Sequence, residues 1–340
     1  MFVEILFLLA GLLLILVAAE TFTNGVETLG RRFSLSQAVV GSLLAAVGTA
    51  MPETILPIVA IFFYSGESAK DIGVGAILGA PFMLSTLAFF LVGLTVTVSS
   101  LAKRRKFEIH VEPHSTFRDL GFFIPMYAAA VLIPIVAGRS FDKFLSIVLV
   151  FGYIFYAYRT FKGESSDLEH SEEMYLMRIF RKIGIIKAEN PHIMLIAAQV
   201  IGSLIVMIEG ARTFVASLEH VSVRFGMDPL LFALLLAPVA TELPEKFNSV
   251  SWTWKGRDTL AVGNITGAMV FQSTFPVSVG LLFTEWKLTG MALFSAVIAL
   301  VSALVVLLEV VIRKKISPYS MMFGGVLYLI YAIVLASGKM

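Results

Sequence analysis

The sequence predicts an all-α membrane protein of ten transmembrane helices, arranged as two inverted five-helix repeats. Three observations predict it. The 340-residue chain is 58% hydrophobic and 15% charged, with a mean hydropathy of +0.88, whereas a soluble domain carries about a quarter charged residues. Its apolar residues fall into runs long enough to cross a bilayer, at about 20 residues each. Two short motifs in the first half recur in the second.

The apolar runs cover 2–29, 37–64, 72–100, 119–138, 141–160, 192–218, 229–254, 258–284, 288–312 and 318–337. Each should be a helix, because backbone facing lipid must satisfy its own hydrogen bonds. The runs are continuous rather than alternating, which argues against a β-barrel. The first lacks a basic start and outlasts a signal-peptide core, so it reads as a span that is kept. The chain has no cysteine, which excludes disulfides and thiolate sites.

Lysine and arginine orient the spans. Loops after odd-numbered spans hold 18 of them and the opposite side holds 6, with Arg212 and Lys246 inside spans. The positive-inside rule then puts both termini outside a cell membrane and the 101–118 and 161–191 loops in the cytoplasm. In the second of these loops, Glu164, Asp167, Glu169, Glu172 and Glu173 precede Arg178, Arg181 and Lys182. This reads as a solvated linker with a short amphipathic helix. The Lys103–Lys106 cluster reads as a topology anchor. The expected organisation is a first repeat over 1–160, a linker over 161–191 and a second repeat over 192–340.

The repeat rests on two echoes. Val47-Gly48-Thr49-Ala50-Met51-Pro52-Glu53 matches Val239-Ala240-Thr241-Glu242-Leu243-Pro244-Glu245 at four of seven positions, 192 residues on. The stretch from Gly75 to Thr86 matches Gly263 to Thr274 at six of twelve, 188 residues on. Five spans separate the copies, so the second is inverted, and the charge count inverts it independently. Inverted repeats whose broken helices meet at the midplane are a transporter architecture. Pro52, Pro57, Pro238 and Pro244 would interrupt the motif helices and free carbonyls for a cation. Gly75, Gly79, Gly263 and Gly267 would let a neighbouring helix approach closely.

Glu53 and Glu245 are the leading candidates for cation binding. An ionised glutamate at the bilayer centre costs about 2.5–3.5 kcal/mol on insertion scales. It must face a polar cavity, hold a cation or be protonated. Thr49 and Thr241 lie four residues before them and share their helix faces. Their hydroxyls either join an oxygen shell, of which calcium takes about 6–8 members, or bond back to their own helices. Glu242 and Lys246 are spaced i,i+4 in the favourable order for an ion pair. Either they neutralise each other, or Lys246 acts as a built-in cation. Glu209 and Arg212 have similar pairing spacing. No histidine pair has ligand spacing on a helix, which argues against zinc.

The Gly/Ala-Thr-x-x-Pro-Glu and Gly-x-x-x-Gly pattern, paired in spans 2–3 and 7–8, resembles the calcium/cation antiporter superfamily, and most of all its sodium/calcium exchanger branch. The resemblance covers essentially the whole chain. It implies that Glu53 and Glu245 are central cation ligands and can take protons. It also implies that spans 1 and 6 slide against the core during alternating access. Span 1 carries Glu20, Asn24 and Glu27 on one face, with Glu20 a candidate modulator or a residue packed on a polar partner. Where such exchangers carry Gly-Asn-x-x-Gly-Ser-Asn, this chain has Ala at both serine positions. Leu84 and Gln272 stand where an Asn or Asp would sit in the site. Only Asn264 and Gln272 keep polar groups there.

The function expected is a secondary antiporter that exchanges a divalent, calcium-like cation for sodium or protons. No cofactor is expected beyond the transported Ca2+ and Na+, and no nucleic-acid partner; the partners are inorganic cations and the lipid bilayer. A non-transporting ion-binding relic on the same fold is one alternative. A membrane-embedded enzyme using Glu53 and Glu245 as acid and base is another, but no nucleophile motif or cofactor loop supports it.

Overall fold

The computed structural model describes residues 2–33, 50–64, 66–161, 173–184 and 191–337, which are mostly helical with no strand among them. A single antiparallel bridge joins Ile109 and Ile316. The helices are α1 (Phe2–Arg32), α2 (Met51–Phe62), α3 (Glu67–Met83), α4 (Phe89–Leu101), α5 (Pro113–Ala137), α6 (Asp142–Phe161), α7 (Tyr175–Lys182), α8 (Ile193–Phe225), α9 (Pro229–Thr241), α10 (Leu243–Trp254), α11 (Asp258–Gln272), α12 (Phe275–Phe283), α13 (Gly290–Arg313) and α14 (Pro318–Ala336). Among the described residues, seven helical runs are long and apolar enough to cross a membrane. Many of the large apolar side chains they leave uncovered, such as Leu13 on α1 and Ile333 on α14, are more than half exposed. That pattern suits a lipid solvent.

Packing groups the helices into two units, Met1–Ser65 with Ile154–Phe225 and Gly66–Tyr153 with Gly226–Met340. Each draws on both halves of the chain.

In the first unit α1 lies along α8. The helices touch backbone to backbone at Gly11 and Gly210, where a Cβ on Gly11 would stand 2.8 Å from the Gly210 carbonyl. Helix α2 also packs on α8. Beyond its end, the Tyr64 hydroxyl donates to the Arg212 carbonyl at 2.6 Å, and the Arg212 guanidinium sits over the Phe63 ring. Arg212 also pairs with Glu209 at 2.9 Å, as their spacing predicts.

The short helix expected in the linker is α7, and it is docked. Met177 and Met174 are buried against Ile196 of α8. Asn24 of α1 accepts the Tyr175 N–H at 3.0 Å, Gln199 of α8 accepts the Leu176 N–H at 2.9 Å, and the Gln199 amide donates to Asn24 at 2.9 Å. Two first-turn N–H groups, which no helix satisfies internally, are thus met by buried side chains.

In the second unit α3 continues through a five-residue π-helical segment, Leu84–Ala88, into α4. Gly324 of α14 packs against the Ser85 and Thr86 carbonyls of that segment, and the Ser302 hydroxyl of α13 donates to the Ser85 carbonyl at 2.5 Å. The Ser302 hydroxyl thus supplies an outside donor to one carbonyl of the π turn.

Helix α9 presses into α3. A side chain at Gly75 would overlap the Leu230 carbonyl, and one at Gly79 would overlap the Leu234 carbonyl and the Pro238 ring. Gly263 has no described atom within reach of a Cβ. The 192-residue offset maps Leu230, the neighbour of Gly75, to position 38, which lies outside the described residues.

Candidate cation site

From Ala50 and from Glu242 onward the two motif copies build the same local structure. In the first copy Ala50 caps α2 with φ −83° and ψ 1°; in the second Glu242 caps α10 with φ −91° and ψ 9°. Each helix runs 12 residues from its cap. A proline follows at the second helical position, where its missing N–H costs nothing, and a glutamate stands at the third. That places both glutamates in a first turn, where unmet N–H groups and the helix dipole favour negative charge.

In the first unit Glu53 is buried, at 6% exposure. Thr54 donates back to the Ala50 carbonyl at 2.7 Å. Pro57 has no N–H to give the carbonyl four residues before it, so the Glu53 carbonyl loses its helical donor. Thr49 lies outside the described residues.

In the second unit α9 ends at Thr241, whose hydroxyl donates to the Ala237 carbonyl of its own helix at 3.2 Å. Of the two roles open to Thr241, the structure shows the bond back to its helix. Pro238 leaves the Leu234 carbonyl without a helical donor. Glu242 is 1% and Lys246 7% exposed. Lys246 Nζ lies 3.1 Å from Glu242 Oε2 and donates to the Pro238 carbonyl at 3.1 Å. The pair anticipated from spacing therefore forms, with an added backbone ligand from across the helix break.

Glu245 has one carboxylate oxygen, Oε2, buried with no hydrogen-bond partner among the described residues. Its carbonyl accepts from Asn264 Nδ2 at 3.4 Å, and the same amide donates to Ser249 Oγ at 3.2 Å. Asn264 thus ties α11 to the turn of α10 that carries Glu245. Gln272 ends α11, eight residues on and about 12 Å along the axis; it is buried, with Oε1 unpartnered among the described residues.

The α10–α11 turn is braced from outside the motif. Arg105 donates to the Thr253 carbonyl at 2.9 Å and forms a two-pronged pair with the buried Asp258 carboxylate, which also accepts the His110 N–H at 2.8 Å. On the far side of α11, Thr266 donates to Asp119 at 2.7 Å.

The structure brings Glu242, Glu245, Lys246 and Asn264 together in the second unit, holds Gln272 on the same helix as Asn264, and buries Glu53 in the first unit. Glu20 accepts the Tyr175 hydroxyl at 2.9 Å. Sequence reasoning missed the Pro238 carbonyl and Ser249. Ser249 stands 192 residues after Pro57, so the repeat register could have singled it out. No group of three or more His, Asp or Glu able to hold a metal occurs among the described residues.

The chain is 23% identical over 336 residues to an uncharacterized membrane protein of Methanocaldococcus jannaschii, covering 98% of this chain and 97% of the relative. Its fold matches the H+/Ca2+ exchanger CAX with a TM-score of 0.72, at 18% identity over 98% of this chain and 82% of the other. It matches the sodium-calcium exchanger NCX_Mj with a TM-score of 0.57, at 20% identity over 99% of both. Residues 3–162 and 195–337 match the family described as sodium/calcium exchanger protein. This chain is therefore an integral multi-pass membrane protein of the sodium/calcium exchanger family, a family of transporters and not of enzymes.

Proposed function

We propose that the protein is a secondary antiporter that exchanges a divalent, calcium-like cation for sodium or protons by alternating access. The observation that carries this reading is the duplicated helix start: two caps with matching dihedrals, each followed by proline and then a first-turn glutamate. Glu53 and Glu245 are the proposed charged ligands of the cation. Thr49, Thr241, Glu242, Asn264 and Gln272 are the proposed neutral or accessory groups, with Lys246 and Glu20 modulating. The proposed frame is ten spans in two inverted repeats, 1–160 and 192–340, with both termini outside the cell membrane. The relatives' exchange of Ca2+ for Na+ or H+ supports the choice of ions.

The test is flux in proteoliposomes. Calcium, magnesium and manganese are each offered against sodium and proton gradients. Gradient-driven uptake of a divalent ion, lost in Glu53→Gln and in Glu245→Gln, is the expected result. The buried Leu84, apolar where exchangers place a polar group, favours a second reading as a non-transporting ion binder. Saturable binding with no flux under any gradient would establish that reading instead.

A further inference from the structure

We propose that Lys246 is a tethered cation: its ammonium permanently fills one monovalent cation position in the second motif copy, so that Glu242 is closed to sodium and Glu245 is that copy's one carboxylate left, beside Glu53, for the transported ion. This rests on the exchanger reading and specifies how many charges its site takes.

The ammonium has two oxygen neighbours of the kinds that hold a small ion. Its oxygens are a carboxylate, Glu242 Oε2, and a backbone carbonyl, Pro238 O, both at 3.1 Å. The Pro238 carbonyl belongs to the last turn of α9, and carbonyls at the ends of broken helices are the groups that hold sodium in such folds. The whole arrangement is buried, so it is neither a rim salt bridge nor a chance surface contact. Lys246 makes its ion pair with Glu242 and not with Glu245, the nearer residue in sequence, whose Oε2 is buried without a hydrogen-bond partner among the described residues.

The two copies differ here in one correlated way. The 192-residue register places Ala50 opposite Glu242 and Thr54 opposite Lys246. The second copy therefore carries an additional acid and an additional base together. Each copy keeps one net negative charge over this turn, because the extra carboxylate arrives with its own counter-ion. A carboxylate added alone would create a further cation position. Removing one member of a buried pair leaves an uncompensated charge, which a dissolved cation can then neutralise.

The test counts ions on purified full-length protein. Binding of radiolabelled sodium and calcium is measured by equilibrium dialysis on the wild type, Lys246→Met, Glu242→Gln and the double variant. Lys246→Met should bind one more sodium per chain than the wild type, and the double variant should return to the wild-type number. Glu242→Gln should free the ammonium to approach Glu245 and weaken calcium binding at least tenfold, with recovery in the double variant. Equal sodium counts in Lys246→Met and the double variant overturn the tether, as does calcium binding in Glu242→Gln at wild-type strength. Should Lys246→Met fail to fold, the calcium comparison between Glu242→Gln and the double variant decides. A wild type that binds neither ion and shows no flux defeats the exchanger reading. The sodium difference between Lys246→Met and the double variant would still decide the tether.

Discussion

The carbonyl of Leu234 occupies the space that a side chain on Gly79 would need. Pro238 is the reason that carbonyl is available, since it withholds the N–H that would otherwise engage it. The motif helix α9 and the glycine helix α3 are thus matched parts: a proline on one frees a carbonyl, and a missing side chain on the other lets it in. Overpacking a tight contact costs about 1–3 kcal/mol, occasionally more. Gly79→Ala should therefore lower the melting temperature in detergent by several degrees, while Gly263→Ala, with no described atom in its way, should move it far less.

Glu53 and Glu245 occupy the same helical position after the same cap geometry. If each supplies charge to the transported ion, neutralising either should reduce divalent uptake about 100-fold, equivalent to about 3 kcal/mol. Proteoliposome flux of Glu53→Gln and Glu245→Gln checks this, with size-exclusion profiles reporting whether the variants fold. An activity loss confined to one of the two would contradict equal roles.

Asp258 is buried and serves both Arg105 and the His110 N–H. Replacing it with alanine strands a mostly buried guanidinium, a change worth about 3–5 kcal/mol when a buried pair is broken. Arg105 keeps some solvent contact, so the loss should fall at the lower end. Arg105→Lys should also destabilise, because an ammonium cannot reproduce the planar two-pronged fork. Thermal denaturation of both variants measures these effects.

Gln199 holds α7 through the Leu176 N–H and links it to Asn24. An N–H left buried without its partner costs about 1–3 kcal/mol. Gln199→Leu should therefore loosen α7 without unfolding α1 or α8. Hydrogen exchange is the direct readout: the amides of Tyr175 and Leu176 should exchange faster, while those in the middle of α8 keep wild-type protection.

Much of this molecule was legible in one dimension because its determinants are local or periodic. Long apolar runs announced the bilayer, and the absence of alternation announced helices. The 192-residue echo located both glutamates and both prolines, and the i,i+4 spacing of Glu242 and Lys246 was enough to foresee their pairing. The mixed-charge stretch in the linker announced a short amphipathic helix, found at Tyr175–Lys182.

The sequence by itself determined the solvent, the helical class, the duplicated motif and the charges it carries, since each depends on residues a few positions apart or on a repeat register. Only tertiary structure decided that Leu234 enters at Gly79, that Asn264 of α11 grips the Glu245 carbonyl, that Arg105 braces the α10–α11 turn, and that Asn24 and Gln199 clasp α7. Those contacts use backbone carbonyls and N–H groups, which every residue possesses and no letter of the sequence distinguishes. Most of them also join positions that become neighbours only when helices pack.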